Sequence, residues 1–127
     1  MEVNMAYFLR KTFTFCASHL LEHHQGLCGR LHGHTYVVDL VLKADTLKES
    51  GPETNMVMDF EHVSKAMEGL MKSHLDHCHL NDTLETDSPS AEFIAHWIYQ
   101  RLKETLPILY EVCVHESPTS CAAYRNE

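Results

Sequence analysis

Residues 28–34 read CGRLHGH and place one thiol and two imidazoles within a single short stretch. An alternating apolar run, residues 36–42, follows directly. If this run is a β-strand, His32 and His34 lie on one face, while Gly33 faces the other way without a side chain. Two imidazoles at this spacing could share a metal ion. In a chain with 11 histidines they could equally be two solvated side chains at a strand end.

A third histidine would complete a metal site of the catalytic kind. Zinc held by three histidines keeps an open fourth position, whereas structural zinc sites are closed by four ligands. His19 ends an earlier alternating run, residues 7–17, and would share a face with Phe13 and Phe15. Two strands joined by the loop 20–31 would pair antiparallel and bring His19 beside His32 and His34. The sequence therefore predicts a metal site formed by these three histidines.

Asp76 and His77 form a second candidate group, at the end of a predicted helix. A carboxylate beside an imidazole can orient the ring and raise its basicity, as acid–base catalysis requires. The alternative is an ordinary helix C-terminus, where histidines lie near the negative end of the helix dipole. A zinc site made of His77, Cys78 and His79 is disfavoured because three consecutive residues cannot easily surround a tetrahedral ion.

Composition limits the classes of function. Ten Lys and Arg against 18 Asp and Glu give a net charge of −8, which argues against nucleic acid or an anionic membrane as the partner. The five cysteines are an odd number without paired spacing, and the N-terminal residues show no signal-peptide pattern. We expect a cytoplasmic protein with reduced thiols. A length of 127 residues predicts one domain, 1–127.

The order of predicted elements is strand, strand, helix, helix, strand, with room for another short strand near the C-terminus. Asp59 is the expected cap of the first helix, which would run from Phe60 to Leu75, and Ser88 with Pro89 is expected to start the second. The last strand would place Ile108, Tyr110, Val112 and Val114 on one face, with Glu116 at its end. This order predicts an α+β fold, an antiparallel sheet with two helices on one face. Its open edges favour an oligomer.

With these residues in order, the chain resembles the 6-pyruvoyl-tetrahydropterin synthase family along essentially its whole length. The short gap between Cys28 and His32 resembles the bacterial, carboxy-forming branch. Two stretches depart from the family pattern, Pro-Ser-Ala-Glu at 89–92 and Ser-Pro-Thr-Ser-Cys at 117–121. The matching segments are Phe13-Thr14-Phe15, Ala17-Ser18-His19-Leu20, residues 28–34, Asp59-Phe60, Leu75-Asp76-His77, Leu80-Asn81, Glu92, Glu116 and Tyr124.

The resemblance implies a role for each matching residue. It implies zinc on His19, His32 and His34, with Cys28 as the proton acceptor. Asp76 and His77 would be the pair that activates the thiol, and Glu116 would anchor the pterin and take part in the charge relay. The further substrate contacts implied are Ser90, Glu92 and Arg30, of which Arg30 could receive phosphate or simply be a solvated loop arginine.

The resemblance also implies an activity and an assembly. The implied reaction converts 7,8-dihydroneopterin triphosphate to 6-carboxy-5,6,7,8-tetrahydropterin, acetaldehyde and triphosphate, an early step of queuosine and 7-deazapurine biosynthesis. The alternatives are the pyruvoyl-forming reaction and a non-catalytic scaffold that binds zinc or pterin. The implied architecture is the tunnelling fold, in which subunits join their sheets into a barrel and stack as two trimers. The sites of such a hexamer lie between subunits.

Overall fold

A computed structural model describes residues 5–127, so residues 1–4 of the predicted domain lie outside the described part. Within residues 5–127, five strands form one sheet in the order β3-β1-β2-β4-β5, and three α-helices accompany it. The strands are β1 (Tyr7–His19), β2 (His32–Ala44), β3 (Cys78–His79), β4 (Leu109–Ser117) and β5 (Ser120–Arg125). The helices are α1 (Phe60–Leu70), α2 (Leu80–Thr83) and α3 (Ala91–Leu102). The predicted α+β class is confirmed.

The two long strands, β1 and β2, form the centre of the sheet and pair antiparallel over their full length. Side chains on one face of the sheet, such as Phe15 and Leu40, are buried. They pack with the apolar sides of the helices, such as Met67 and Ile98. Each such side chain contributes about 1.5–3 kcal/mol when fully buried. Among the described residues, no helix is both long and apolar enough to cross a bilayer.

Helix α1 begins as predicted and ends earlier than predicted. Asp59 caps it by accepting a hydrogen bond from the Glu61 amide at 2.8 Å. The α-helix stops at Leu70, and a single π-helical turn, Met71–Leu75, carries the chain on to Asp76. The Asp76 amide donates to the Met71 carbonyl at 2.7 Å, which closes this wider turn. The turn places Asp76 next to Cys16, near the end of β1.

The predicted start of the second long helix is wrong by two residues. Ser90, not Ser88, is the cap of α3, and its hydroxyl accepts a hydrogen bond from the Phe93 amide at 3.1 Å. Pro89 lies before the helix because its carbonyl accepts a hydrogen bond from a buried side chain of β1, His19. The Phe93 amide, which would bond to the Pro89 carbonyl if Pro89 were helical, donates to the Ser90 hydroxyl instead. Helix α3 therefore begins after Pro89.

A β-bulge changes the predicted faces of the last long strand. Val41 pairs with Glu111 and Leu42 pairs with Leu109, which leaves Tyr110 as the extra residue. Leu109 is buried in the core, whereas Tyr110 contacts the Phe8 ring at 5.6 Å on the other face. The prediction that Tyr110 shares a face with Val112 and Val114 is therefore wrong, whereas Ile108 packs against the same core as these two valines. The additional strand near the C-terminus is confirmed as β5.

Replacing the observed cap should destabilise the fold. Ser90→Ala should lower the free energy of unfolding by about 1 kcal/mol, because the Phe93 amide loses its acceptor. Urea unfolding followed by circular dichroism measures this change. Ser88→Ala is the matched control and should cost less than half as much. Equal losses for the two variants would contradict the assignment of the cap.

Candidate active site

Three histidines meet where β1 ends and β2 begins. His19 is paired directly with His32 across the two strands, and His34 follows two residues later on the same face. The ring centroids of His19 lie 4.5 Å from those of His32 and 5.1 Å from those of His34. One ligand atom from each ring lies within 4.8 Å of the others. The structure thus brings together the three histidines that the spacing singles out.

Two backbone carbonyls set the orientation of these rings. His19 Nδ1 lies 2.8 Å from the Pro89 carbonyl oxygen, and His32 Nδ1 lies 2.6 Å from that of Arg30. A carbonyl only accepts hydrogen bonds, so each Nδ1 carries the proton and donates it. The lone pair of each ring is then on Nε2. Such outer contacts are how proteins fix the tautomer of metal-binding histidines.

The nitrogens that face the centre of the cluster are buried without a partner. Within residues 5–127, Nε2 of His19 and Nε2 of His34 make no hydrogen bond. Burying an unpaired polar atom costs about 1–3 kcal/mol, which a bound metal ion would offset. Burial also lowers the pKa of His19. The hydrogen bond to the Pro89 carbonyl raises this pKa, and the nearby His32 lowers it further, so the net shift is downward. His19 is therefore neutral, the form that binds metal, and the residues fit a metal ion.

Glu116 lies beside the cluster, at the far end of β4. Its Oε2 is 3.0 Å from His34 Nε2 and 3.7 Å from His19 Nε2. Neither contact has the alignment of a hydrogen bond, so the carboxylate acts on the two rings through its charge. The family resemblance implies that Glu116 anchors the pterin and takes part in the charge relay, but it implies no contact with the histidines. The structure places the Glu116 carboxylate next to Nε2 of His34 and Nε2 of His19 as well.

His34 lies between two cavities. One, of about 700 Å³, is lined by His34 together with His115, Glu116 and Pro118. The other, of about 670 Å³, is lined by His34 together with Cys16, His77 and His79. Both volumes are in the range of small-molecule sites. Glu116 therefore lines one of the cavities next to His34, and His77 lines the other.

Asp76 and His77 lie side by side at the edge of the sheet. Asp76 Oδ2 lies 3.1 Å from His77 Nδ1, and Asp76 Oδ1 accepts a hydrogen bond from the Cys16 amide at 3.0 Å. The Cys16 amide and then His77 lower the pKa of Asp76, so the carboxyl is ionised at neutral pH. The His77 amide donates to the Cys16 carbonyl at 2.6 Å. His77 has a positive φ of 58°, and its side chain is 82% exposed.

Cys28 lies on an exposed 3₁₀ turn, Leu27–Gly29, and not in either cavity. The Leu21 amide donates to the Cys28 carbonyl at 2.9 Å and holds the turn against the end of β1. A side chain at Gly29 would force the backbone to move, since its Cβ would overlap the His24 carbonyl oxygen. Within residues 5–127, the following predicted site residues also line neither of the two cavities: Arg30, Ser90 and Glu92.

Two residues next to the cluster have no role in the sequence-based predictions. Tyr36 is fully buried, its ring centroid is 5.3 Å from that of His34, and burial raises the pKa of its hydroxyl. Asn81, which belongs to a matching segment without an assigned role, holds Leu20 by accepting from its amide at 3.0 Å and donating to its carbonyl at 2.8 Å. Tyr36 follows His34 at strand spacing, a signal that could have placed it. Nothing local indicates the contact of Asn81 with residue 20.

The fold and the cluster together define an α+β protein with a three-histidine group able to hold a metal ion. The family model described as 6-pyruvoyl tetrahydropterin synthase matches residues 8–127, and the chain belongs to that family.

Individual relatives agree with this membership. The chain is 45% identical to the 6-carboxy-5,6,7,8-tetrahydropterin synthase of Synechocystis sp., over 93% of this chain and 92% of that protein. It is 30% identical to the protein of the same name from Haemophilus influenzae, over 93% and 98%. The solved structure of Caenorhabditis elegans 6-pyruvoyl tetrahydropterin synthase shares the fold, with a TM-score of 0.82 and 23% identity over 100% of both chains.

Removing one histidine of the cluster should release a metal ion. His32→Ala should bind one equivalent of divalent metal per chain fewer than the parent protein, because two imidazoles hold such an ion far more weakly than three. Elemental analysis by mass spectrometry after gel filtration measures the content. His62→Ala is the control, since His62 is exposed on α1 and lies outside the cluster. An unchanged metal content in His32→Ala would rule out the cluster as a ligand set.

Proposed function

We propose that the chain is a zinc-dependent lyase that converts 7,8-dihydroneopterin triphosphate and water to 6-carboxy-5,6,7,8-tetrahydropterin, acetaldehyde and triphosphate. The observation that carries the proposal is the three-histidine cluster, in which Nε2 of His19 and Nε2 of His34 are buried without a hydrogen bond and His34 lines two cavities. The name and 45% identity of the Synechocystis relative support the carboxy-forming reaction over the pyruvoyl-forming one. As the family resemblance implies, the product would enter queuosine biosynthesis. Residues 1–127 are proposed to form one domain.

His19, His32 and His34 are the proposed zinc ligands. Imidazole nitrogens suit zinc, and three of them leave its fourth position for a substrate oxygen. When bound, zinc would supply a Lewis acid that makes the C–H next to a coordinated side-chain hydroxyl easier to deprotonate. The carbonyls of Arg30 and Pro89 keep the rings of His32 and His19, respectively, in the tautomer that leaves Nε2 free.

Cys28 is the proposed proton acceptor, and Asp76 with His77 the pair that activates it. A free thiol has a pKa of about 8.5, so it needs nearby positive charge to be a thiolate at neutral pH. A protonated His77 held by the Asp76 carboxylate supplies that charge. The bond from the Cys16 amide keeps Asp76 ionised and fixed in place. The thiolate would then take the proton from the substrate carbon.

Four side chains are proposed to bind the substrate. Glu116 is an acceptor that suits the ring N–H and exocyclic amine of a pterin. Its carboxylate lines the larger cavity next to His34 and is proposed to take part in the charge relay as well. Ser90 and Glu92, at the start of α3, would add polar contacts, and the exposed Arg30 would receive phosphate. A chain with a net charge of −8 needs such a local cation to hold a triphosphate.

The active unit is proposed to be a homohexamer of two trimers, with sites between subunits. Within residues 5–127, β3 pairs with the outer edge of β1 at residues 17 and 18, and Asp76 and His77 bond to Cys16 beside it, so residues 7–15 have no strand partner on that side. Strand β5 forms the other edge of the sheet. Exposed edges of this kind are usually paired or covered. Two large side chains at the start of β1 are also exposed to solvent: the exposed fraction is 50% for Tyr7 and 57% for Phe8. A neighbouring subunit would bring Cys28 of one chain to His77 of another.

Product analysis tests the proposed reaction. The parent protein loaded with zinc should convert 7,8-dihydroneopterin triphosphate to the carboxylated pterin and acetaldehyde, separated by liquid chromatography and identified by mass spectrometry. Cys28→Ala should lose at least about 100-fold in rate, the lower range for a general base, while its zinc content stays unchanged. Cys121→Ala removes an exposed thiol that does not belong to the three-histidine cluster, so this control should retain activity.

Other outcomes separate the alternatives. A 6-pyruvoyl product would assign the chain to the other reaction of its family. Zinc and pterin binding without any product would leave only the scaffold. Loss of zinc together with activity in Cys28→Ala would make the thiol a fourth ligand and close the site.

Mixing two inactive variants tests whether each site is shared between chains. Cys28→Ala and His77→Ala hexamers, dissociated and reassembled together, should regain part of the parent activity, because some sites then receive an intact thiol and an intact imidazole. Native mass spectrometry confirms that the subunits have exchanged. Exchange without recovered activity would show that each site is built within one chain.

A further inference from the structure

A second group of metal-ligand side chains lies on the face of the sheet that the helices leave uncovered. Cys113, His115 and Cys121 each offer a ligand atom, and these atoms lie within 4.8 Å of one another. Cys113 and His115 are two residues apart on β4, and Cys121 of β5 is paired directly with His115. None of the three belongs to the three-histidine cluster.

The backbone arrangement of this group repeats that of the histidine cluster. In both, two ligands occupy alternate positions of one strand, and the third stands opposite one of them on the neighbouring strand. In the histidine cluster the pair is His32 and His34, with His19 opposite. In the second group the pair is Cys113 and His115, with Cys121 opposite. Antiparallel pairing therefore produces a three-ligand group twice, on opposite faces of one sheet.

The distances in the second group suit a tetrahedral ion. Cys113 Sγ lies 3.5 Å from His115 Nε2. Zinc bound at about 2.3 Å from sulfur and about 2.0 Å from nitrogen would separate these two atoms by about 3.5 Å. Asp39 Oδ2 lies 3.2 Å from the same His115 nitrogen, and Thr12 donates to the other carboxylate oxygen at 2.6 Å. Asp39 thus adds a fixed negative charge that favours a cation.

A disulfide explains the two thiols less well. Cys113 pairs with Ala123, so Cys113 and Cys121 are diagonal neighbours across the strands. Diagonal positions lie about 7–8 Å apart, beyond the usual Cα separation in disulfides of about 4.4–6.8 Å.

We propose that Cys113, His115 and Cys121 form a second metal site, which takes a soft divalent cation of the zinc class. Two thiolates and one imidazole are ligands typical of zinc, and they leave a fourth position for water or for Asp39. A metal at this site joins the edge strand β5 to β4 through side chains as well as backbone bonds. The proposal concerns metal binding alone and does not depend on the proposed reaction.

Cobalt substitution tests this site with a readout other than turnover. The purified protein is stripped with a chelator and titrated with Co²⁺ alone. Cobalt bound by thiolates gives an intense charge-transfer absorption in the near ultraviolet, which a site made only of histidines lacks. The parent protein should show this band and bind one equivalent more per chain than Cys113→Ser/Cys121→Ser. That double variant should keep the equivalent held by the histidine cluster, which also shows that it is folded.

Further variants identify which thiols produce the absorption band. Cys16→Ser/Cys78→Ser removes two thiols outside the group and should leave the band and the stoichiometry unchanged. His32→Ala should lose the other equivalent and keep the band. A band that vanishes with Cys28→Ala, or no band in the parent protein, would overturn the proposal. If the double serine variant binds no metal at all, His115→Ala decides. Loss of one equivalent there supports the site, and full retention overturns it.

Discussion

The antiparallel register of β1 against β2 determines whether the metal cluster exists. It places His19 opposite His32 and Ala17 opposite His34. A slip of one residue would turn every side chain of β1 to the other face of the sheet. His19 would then leave the cluster, and Phe15, which is 1% exposed, would leave the core. The burial of apolar side chains therefore holds the cluster together before any metal binds.

The same cluster depends on elements distant in sequence. The Pro89 carbonyl orients His19, and this contact accompanies the start of α3 at Ala91, two residues after Pro89. Asn81, at the start of α2, fixes the backbone of Leu20 immediately beyond His19. Each contact removes freedom from the ligand whose ring is most deeply buried. Both residues belong to the segment that connects β2 to β4. This segment therefore contributes to the geometry of the site, as do the strands that carry the histidines.

Features with a fixed local period could be predicted from the sequence, and features set by distant contacts could not. The strand period of two residues is enough to group His32 with His34 and to align His19 with them. Asp59 was identifiable as a cap because its bond is made within its own turn. Ser88 and Ser90 satisfy the same local preference, and a contact of Pro89 with residue 19 decides between them. The bulge at Tyr110 inserts one residue into an alternating pattern that by itself shows no interruption.

The left-handed backbone of His77 has a consequence for how this protein could be improved. A residue other than glycine at a φ of 58° carries strain of about 1–3 kcal/mol, which asparagine or glycine would relieve in part. The side chain is 82% exposed, so the core gains little from the imidazole. A screen for thermostability alone would favour replacing it. Stability and the proposed acid–base chemistry therefore make opposite demands on one residue, and the most heat-resistant variants at this position would be the least active.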